Sequence, residues 1–172
     1  MSKVILLTGP PGGGKTTLIR RIVDAIQMPT GGFYTREIRE QGVRKGFEII
    51  TLDGQRGILA HVGIRSTKRV SKYGVDLAAL DSLAVAAIEE AVAEQRLVVI
   101  DEIGPMEILS DRFCHAVIQA LESPSFVLGT IAKRSMPFTD RVKSMPGVKV
   151  IEVLRGEWDR LLSDVLDMLG EQ

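Results

Sequence analysis

The sequence predicts an α/β fold, with a mostly parallel central sheet and helices on both of its faces. Three observations carry this expectation. Short apolar runs recur at Val4 to Leu7, Leu97 to Ile100 and Phe126 to Thr130, each with the length and content of a strand buried on both faces. Stretches with apolar residues at helical spacing lie between them. A glycine-rich turn, Gly9 to Gly14, joins the first run to the first helical stretch, the strand, loop and helix order from which parallel sheets are built.

The chain has 172 residues, 45% of them apolar, and 22 basic against 22 acidic side chains. That length supports one well-covered core, so a single compact domain over residues 1–172 is expected. Zero net charge excludes an overall polybasic field of the kind that draws a protein onto nucleic acid or anionic lipid. The lone Cys114 has no partner for an internal disulfide, which fits a reducing cytoplasm. His61 and His115 are far apart and make no metal-ligand cluster. Val4 to Leu7 is too short for a signal peptide or a membrane span, so the N-terminus is expected within the fold and no membrane is expected as a partner.

In chain order, the run Val4 to Thr8 is the first strand. Leu18, Ile19, Ile22, Val23 and Ile26 then give a helix from about Lys15 until Pro29 and Gly31-Gly32 interrupt it. Alternation in Phe33 to Ile38 and Gly46 to Leu52, around a turn at Gln41-Gly42, predicts an inserted β-hairpin over about 32–52, with Ile58 to Val62 a further candidate strand. Asp76 to Gln95 reads as the longest helix, with Asp76 as its N-cap. After the strand Leu97 to Ile100 come a helix from Ser110 or Asp111 to Leu121, the strand Phe126 to Thr130 and a last strand from Val148 to Val153. Trp158, Leu161, Leu162, Val165 and Leu169 mark one face of a closing helix.

The segment Gly9-Pro10-Pro11-Gly12-Gly13-Gly14-Lys15-Thr16 matches G-x-x-x-x-G-K-[ST], after a buried strand and opening a helix. Glycines let successive backbone N–H groups turn inward around phosphate oxygens, and the helix N-terminus adds partial positive charge there. Lys15 is expected to reach the β- and γ-phosphates, Thr16 to ligate Mg²⁺, and Thr17 to complete the nucleotide-binding segment. Such a loop needs a carboxylate at the end of a nearby parallel strand to hold the Mg²⁺ shell, and Asp101 ends the run Leu97-Val98-Val99-Ile100. Alternation along the strand turns Glu102 away from Asp101, toward where a γ-phosphate would lie, and makes it the candidate for activating water. A helix-capping or surface carboxylate is the lesser alternative for Glu102, which lies in a strand-end loop where functional residues collect.

With these motifs, Gly32-Phe33-Tyr34-Thr35-Arg36-Glu37, the stretch Gly42 to Phe47, Lys72-Tyr73-Gly74-Val75-Asp76, Asp101-Glu102-Ile103-Gly104-Pro105-Met106-Glu107 and Gly129-Thr130-Ile131 together resemble one family. It is that of the small cancer-related, or thermophile-type (THEP), nucleoside-triphosphatases, and the resemblance covers nearly the whole chain. It implies a Rossmann-like P-loop NTPase fold with an extra strand between the two motif strands, and Mg²⁺-dependent release of phosphate from ATP, GTP and other nucleoside triphosphates. It also implies two nucleotide-binding segments, Gly9 to Thr16 and Leu97 to Gly104 (Leu97, Val98, Val99, Ile100, Asp101, Glu102, Ile103, Gly104).

Outside the motifs, Arg36 to Lys72 holds nine basic residues against four acids. No aromatic residues are interleaved as nucleic-acid binding would require, so a solvated face is the plainer expectation. Lys133 and Arg134 follow a strand at the edge where ligands sit in such sheets, which makes either a candidate for sensing the γ-phosphate, with plain loop charges the favoured expectation. Cys114, His115 and Trp158 fall within helical patterns and are expected to pack without chemistry. Two alternatives to hydrolysis use the same cradle: a small-molecule kinase, which needs an acceptor pocket, and a binding module gated by nucleotide. The lack of a placed arginine finger predicts slow turnover, and the lack of an N-K-x-D segment predicts broad base use.

Overall fold

The computed structural model describes residues 3–12 and 14–171. Among them, nine strands form one sheet in the order β5-β6-β4-β3-β2-β7-β8-β1-β9. The strands are β1 Val4–Thr8, β2 Thr30–Glu40, β3 Val43–Thr51, β4 Arg56–His61, β5 Arg69–Val70, β6 Tyr73–Val75, β7 Leu97–Ile103, β8 Val127–Ile131 and β9 Val148–Glu152. The helices are α1 Lys15–Ala25, α2 Leu77–Ala79, α3 Ala86–Ala93, α4 Asp111–Glu122, α5 Pro137–Lys143 and α6 Trp158–Met168.

Alternation divides the apolar residues of the sheet between two cores. Val4, Leu6, Val98, Ile100 and Val127 face α3 and α4, where they meet Ile88, Phe113 and Val117. Ile5, Leu7, Leu97, Val99 and Leu128 face α1 and α6, where they meet Leu18, Ile22, Leu161 and Val165. Helices therefore cover both faces. Strand β8 lies between β1 and β7, so a third strand separates the two that carry the motifs.

The sheet is evenly mixed rather than mostly parallel. Strands β2, β7, β8, β1 and β9 run parallel, whereas β2 to β6 make an antiparallel wing. Nor is the hairpin set into the sheet as a separate insertion. Strand β2 begins at Thr30, pairs in parallel with β7 through Phe33↔Ile100, and only then continues as the first arm of the hairpin with β3. Gly32 permits the parallel part: its φ is +107°, and a Cβ there would lie 2.0 Å from the Val99 carbonyl oxygen.

The helix expected over 76–95 is a single rod, but α2 and α3 are joined by a π-helical segment, Leu80–Val85. Asp76 caps it as expected, accepting from the Ala79 N–H at 3.0 Å. Ser110 caps α4 in the same way, accepting from the Phe113 N–H at 3.1 Å.

Candidate functional site

The parallel strands end together at one edge of the sheet. Leu7 is level with Thr130, Ile100 with Gly129 and Thr8 with Glu152, so the loop after β1, the acids of β7 and the ends of β8 and β9 meet there. The loop turns through positive φ at Gly12 (+74°) and at Gly14 (+83°), which sits at the N-cap of α1. A side chain is strained at both positions. Pro10, Pro11 and Gly12 are exposed and Gly9 is buried, while Thr16 is half-buried and Thr17 exposed. Gly13 lies outside the described residues.

Lys15 folds over the loop. Its Nζ donates to the Gly9 carbonyl at 3.1 Å and stands 3.8 Å from Glu102 Oε2. Asp101 is buried beneath it, and its Oδ1 accepts from Thr130 Oγ1 at 2.7 Å. Its Oδ2 is buried with no hydrogen-bond partner among the described residues. Burial pushes the Asp101 pKa up, and the nearby Thr130 and Thr16 hydroxyls, the Lys15 ammonium and the Thr35 backbone N–H only partly oppose it.

Glu102 does not turn away from this group. Residues 101–102 fall where the β7/β8 register shifts, Ile100 pairing with Gly129 but Ile103 with Ile131. The extra residue breaks strict alternation, and both acids reach the Lys15 side. Burial raises the Glu102 pKa, Lys15 opposes the rise and Asp101 adds to it. A third carboxyl, Glu107, is buried in the turn after β7, and its pKa is pushed well above the ordinary range by burial and then by Glu102.

A family model described as NTPase matches residues 4–166. The chain belongs to this NTPase family. Among its relatives, the nucleoside-triphosphatase THEP1 of Thermotoga petrophila is 47% identical over 165 residues, covering 96% of this chain and 92% of that one. The crystal structure of THEP1 from Aquifex aeolicus superposes with a TM-score of 0.88 at 35% identity, covering 96% of this chain and 98% of that one. The solution structure of a human cancer-related nucleoside triphosphatase superposes with a TM-score of 0.83 at 37% identity, covering 97% of each chain.

Within this family member the second segment divides into two kinds of residue. Leu97, Val98, Val99, Ile100 and Ile103 are at most 2% exposed and pack into the two cores. They fix where Asp101 and Glu102 emerge and offer no surface to a ligand. Gly104 closes the strand end, where a Cβ would lie 2.8 Å from the Glu102 side chain.

The structure adds residues that the sequence did not single out for the site. Thr130 holds Asp101, and its signal was a polar residue ending a buried run. Glu107 joins the acids through a turn that has no periodicity to read. Tyr34 faces α1, with the Arg20 guanidinium 4.9 Å from its ring centroid, and burial pushes its pKa up to about 12. Trp158 is not an ordinary core indole: a Cβ on Gly14 would lie 2.0 Å from its Cζ2, so the ring rests directly on the glycine loop.

Many basic residues of 36–72 have partners inside the wing. Arg36 and Arg56 share Glu48, Arg39 and Arg44 share Glu37, and Arg69 donates to the Ile64 and Lys72 carbonyls. Lys133 pairs with Glu152 at 2.9 Å, and Arg134 is exposed. No group of three or more metal-ligating side chains occurs among the described residues, and no helix there is long and apolar enough to cross a membrane.

Proposed function

We propose that the chain, acting as a single cytoplasmic domain, hydrolyses the γ-phosphate of ATP, GTP and other nucleoside triphosphates at the crevice between the glycine loop and β7. The observation that carries this reading is the buried Asp101, with Oδ2 unpartnered, beside Lys15 and Thr16 at the end of the glycine loop. Burying a carboxylate oxygen without a partner is costly, and a divalent cation is the partner that suits it. Mg²⁺ would be held by Thr16 and Asp101, and when bound it would neutralise charge on the phosphates.

The chain's own residues supply the rest. Lys15 is engaged by the Gly9 carbonyl and by Glu102. Arriving phosphates draw the ammonium onto their β and γ oxygens and release Glu102. Burial then favours proton uptake by Glu102, which accepts a proton from the attacking water. Thr130 fixes Asp101, and the backbone N–H groups of Gly14, Lys15 and Thr16 at the start of α1 receive charge from the transferring group. No arginine of the described residues hydrogen-bonds or pairs with Asp101 or Glu102, which supports slow turnover, and the sequence has no N-K-x-D segment, which supports broad base use.

Phosphate release from ATP, GTP, CTP and UTP, with and without Mg²⁺, tests this reading in the native chain, Lys15→Ala and Glu102→Gln. Release is expected only with Mg²⁺ and is lost in both variants, while Glu102→Gln still binds nucleotide. Normal rates in Glu102→Gln would remove its role as base.

A further inference from the structure

Past Glu102 the chain makes one tight turn before α4, and a buried acid sits inside it. Strand β7 ends at Ile103, and a 3₁₀ turn over Glu107–Leu109 leads to the Ser110 cap of α4. Backbone bonds close the turn: the Ile108 N–H donates to the Gly104 carbonyl at 3.1 Å, and the Ser110 N–H to the Glu107 carbonyl at 3.1 Å. Gly104 is the first residue past the strand, where the sheet no longer supplies its N–H with an acceptor. The Glu107 carboxyl supplies one. It is only 4% exposed, and the N–H groups of Gly104 and of Glu107 itself face it. The charges around it are those of Glu102 and Asp101, which join burial in opposing its ionisation. The turn therefore uses the oxygen of a neutral acid.

What the turn holds is Glu102. Gly104 lies so close to that side chain that a Cβ on it would stand 2.8 Å from Glu102 Cγ, Cδ and Oε1. Its other neighbour is the Lys15 ammonium, 3.8 Å from Oε2. In the reaction proposed above Lys15 passes to the phosphates, and the Gly104 backbone is the contact that stays.

We infer that Glu107 is a positioning residue for Glu102: its carboxyl fixes the backbone at Gly104, and Gly104 fixes where the Glu102 carboxyl stands. The inference rests on the role of Glu102 as base proposed above. Buried in the turn, Glu107 acts on the reaction only through Glu102.

Steady-state phosphate release from ATP in Mg²⁺ tests this in the full chain, with an ADP titration and a circular dichroism melt for each variant. Glu107→Leu fills a similar space but accepts no hydrogen bond. Its kcat is expected to fall about 10- to 100-fold, the scale of a misplacement near 1 Å, while KM and ADP binding stay within about twofold. Glu107→Gln keeps an oxygen in the same place without an ionisable group, and is expected to restore kcat to near the native value. Gly104→Ala presses directly on Glu102 and leaves Glu107 in place, and is expected to lower kcat in the same way. In a Glu102→Gln background Glu107→Leu is expected to cost nothing further, because the group it positions is already gone.

A folded Glu107→Leu chain with native kcat would overturn the inference. So would a Glu107→Gln chain as slow as the leucine variant, because the site would then depend on the acid itself. Parallel loss of ADP binding, or a further loss in the Glu102→Gln background, would overturn it as well, because Glu107 would then hold the site as a whole. If Glu107→Leu does not fold, Gly104→Ala decides, and native kcat in that variant overturns the inference. Native turnover in Glu102→Gln alone is a separate failure: it removes the base, and the positioning of that base falls with it.

Discussion

Substituting Gly14 by alanine tests how the glycine loop is held from below. Two costs can be read from the structure. Gly14 has φ +83°, and an L-residue in that left-handed region pays about 1–2 kcal/mol. The new Cβ would also stand 2.0 Å from Trp158 Cζ2, well inside any ordinary contact, so the indole must move. Over-packing of this kind costs about 1–3 kcal/mol, and the two together make about 2–5 kcal/mol.

Only the second cost depends on the tryptophan. A double-mutant cycle of Gly14→Ala and Trp158→Ala, measured by urea unfolding, should therefore show a coupling of about 1–3 kcal/mol, with the double variant more stable than the sum of the single losses predicts. The strain in the loop backbone persists in the double variant, so pyrophosphate binding should stay impaired in it. Strict additivity would mean that the indole does not press on Gly14 and that α6 does not support the loop.

The acids of the site make stability depend on pH in a particular direction. Asp101, Glu102 and Glu107 all have folded-state pKa values raised above their unfolded values, so the folded state holds their protons more tightly. The stability they contribute is fully present below about pH 4 and is lost as pH rises through the folded values. Asp101→Asn removes one such group and keeps an oxygen for Thr130, so its stability relative to the native chain, in urea and EDTA, should grow from pH 4 to pH 8. Contributions of opposite sign from Glu37 and Glu48, whose pKa values arginine partners hold down, cancel in that difference, and a difference that shrinks with pH would contradict the sign. Ser110→Ala should cost about 1–2 kcal/mol in urea unfolding, because the hydroxyl both caps α4 at Phe113 and donates to Asp81 Oδ1 at 2.5 Å. A loss within experimental error would show that water replaces it.

The parallel half of the sheet was legible because its strands are buried on both faces and so read as unbroken apolar runs. The same burial made the lone acid at the end of Leu97 to Ile100 conspicuous. The small strands β5 and β6 were not legible, because two or three residues carry no period. They are held by pairing with each other and with β4, and by Tyr73 packing edge-on against Phe47. Helix α5 escaped for a similar reason, since within its seven residues only Thr139 and Val142 are buried. The π-helical segment was hidden because Leu80, Ala84 and Val85 suit a helix of either pitch. At the site, the strand-end acid was readable from its own neighbourhood, but the contact between Trp158 and Gly14 joins opposite ends of the chain and leaves no local mark.

Two connections of opposite sense place the crevice where it is. The chain leaving β1 turns into α1, whose Leu18, Ile19 and Ile22 pack on one face of the sheet. The chain leaving β7 turns into α4, whose Phe113, Ala116 and Val117 pack on the other. The two loops must part above the strand between them, and ligands bind where such loops part in sheets of this kind. That strand is β8, and its penultimate residue is Thr130, which is fully buried and donates to Asp101. On the far side β2 leaves β7 after Phe33, and the Thr35 backbone N–H, which no longer has a strand partner there, faces the same carboxylate. Asp101 is thus fixed by the parting of strands on one side and of loops on the other. Its unpartnered oxygen is therefore a consequence of topology.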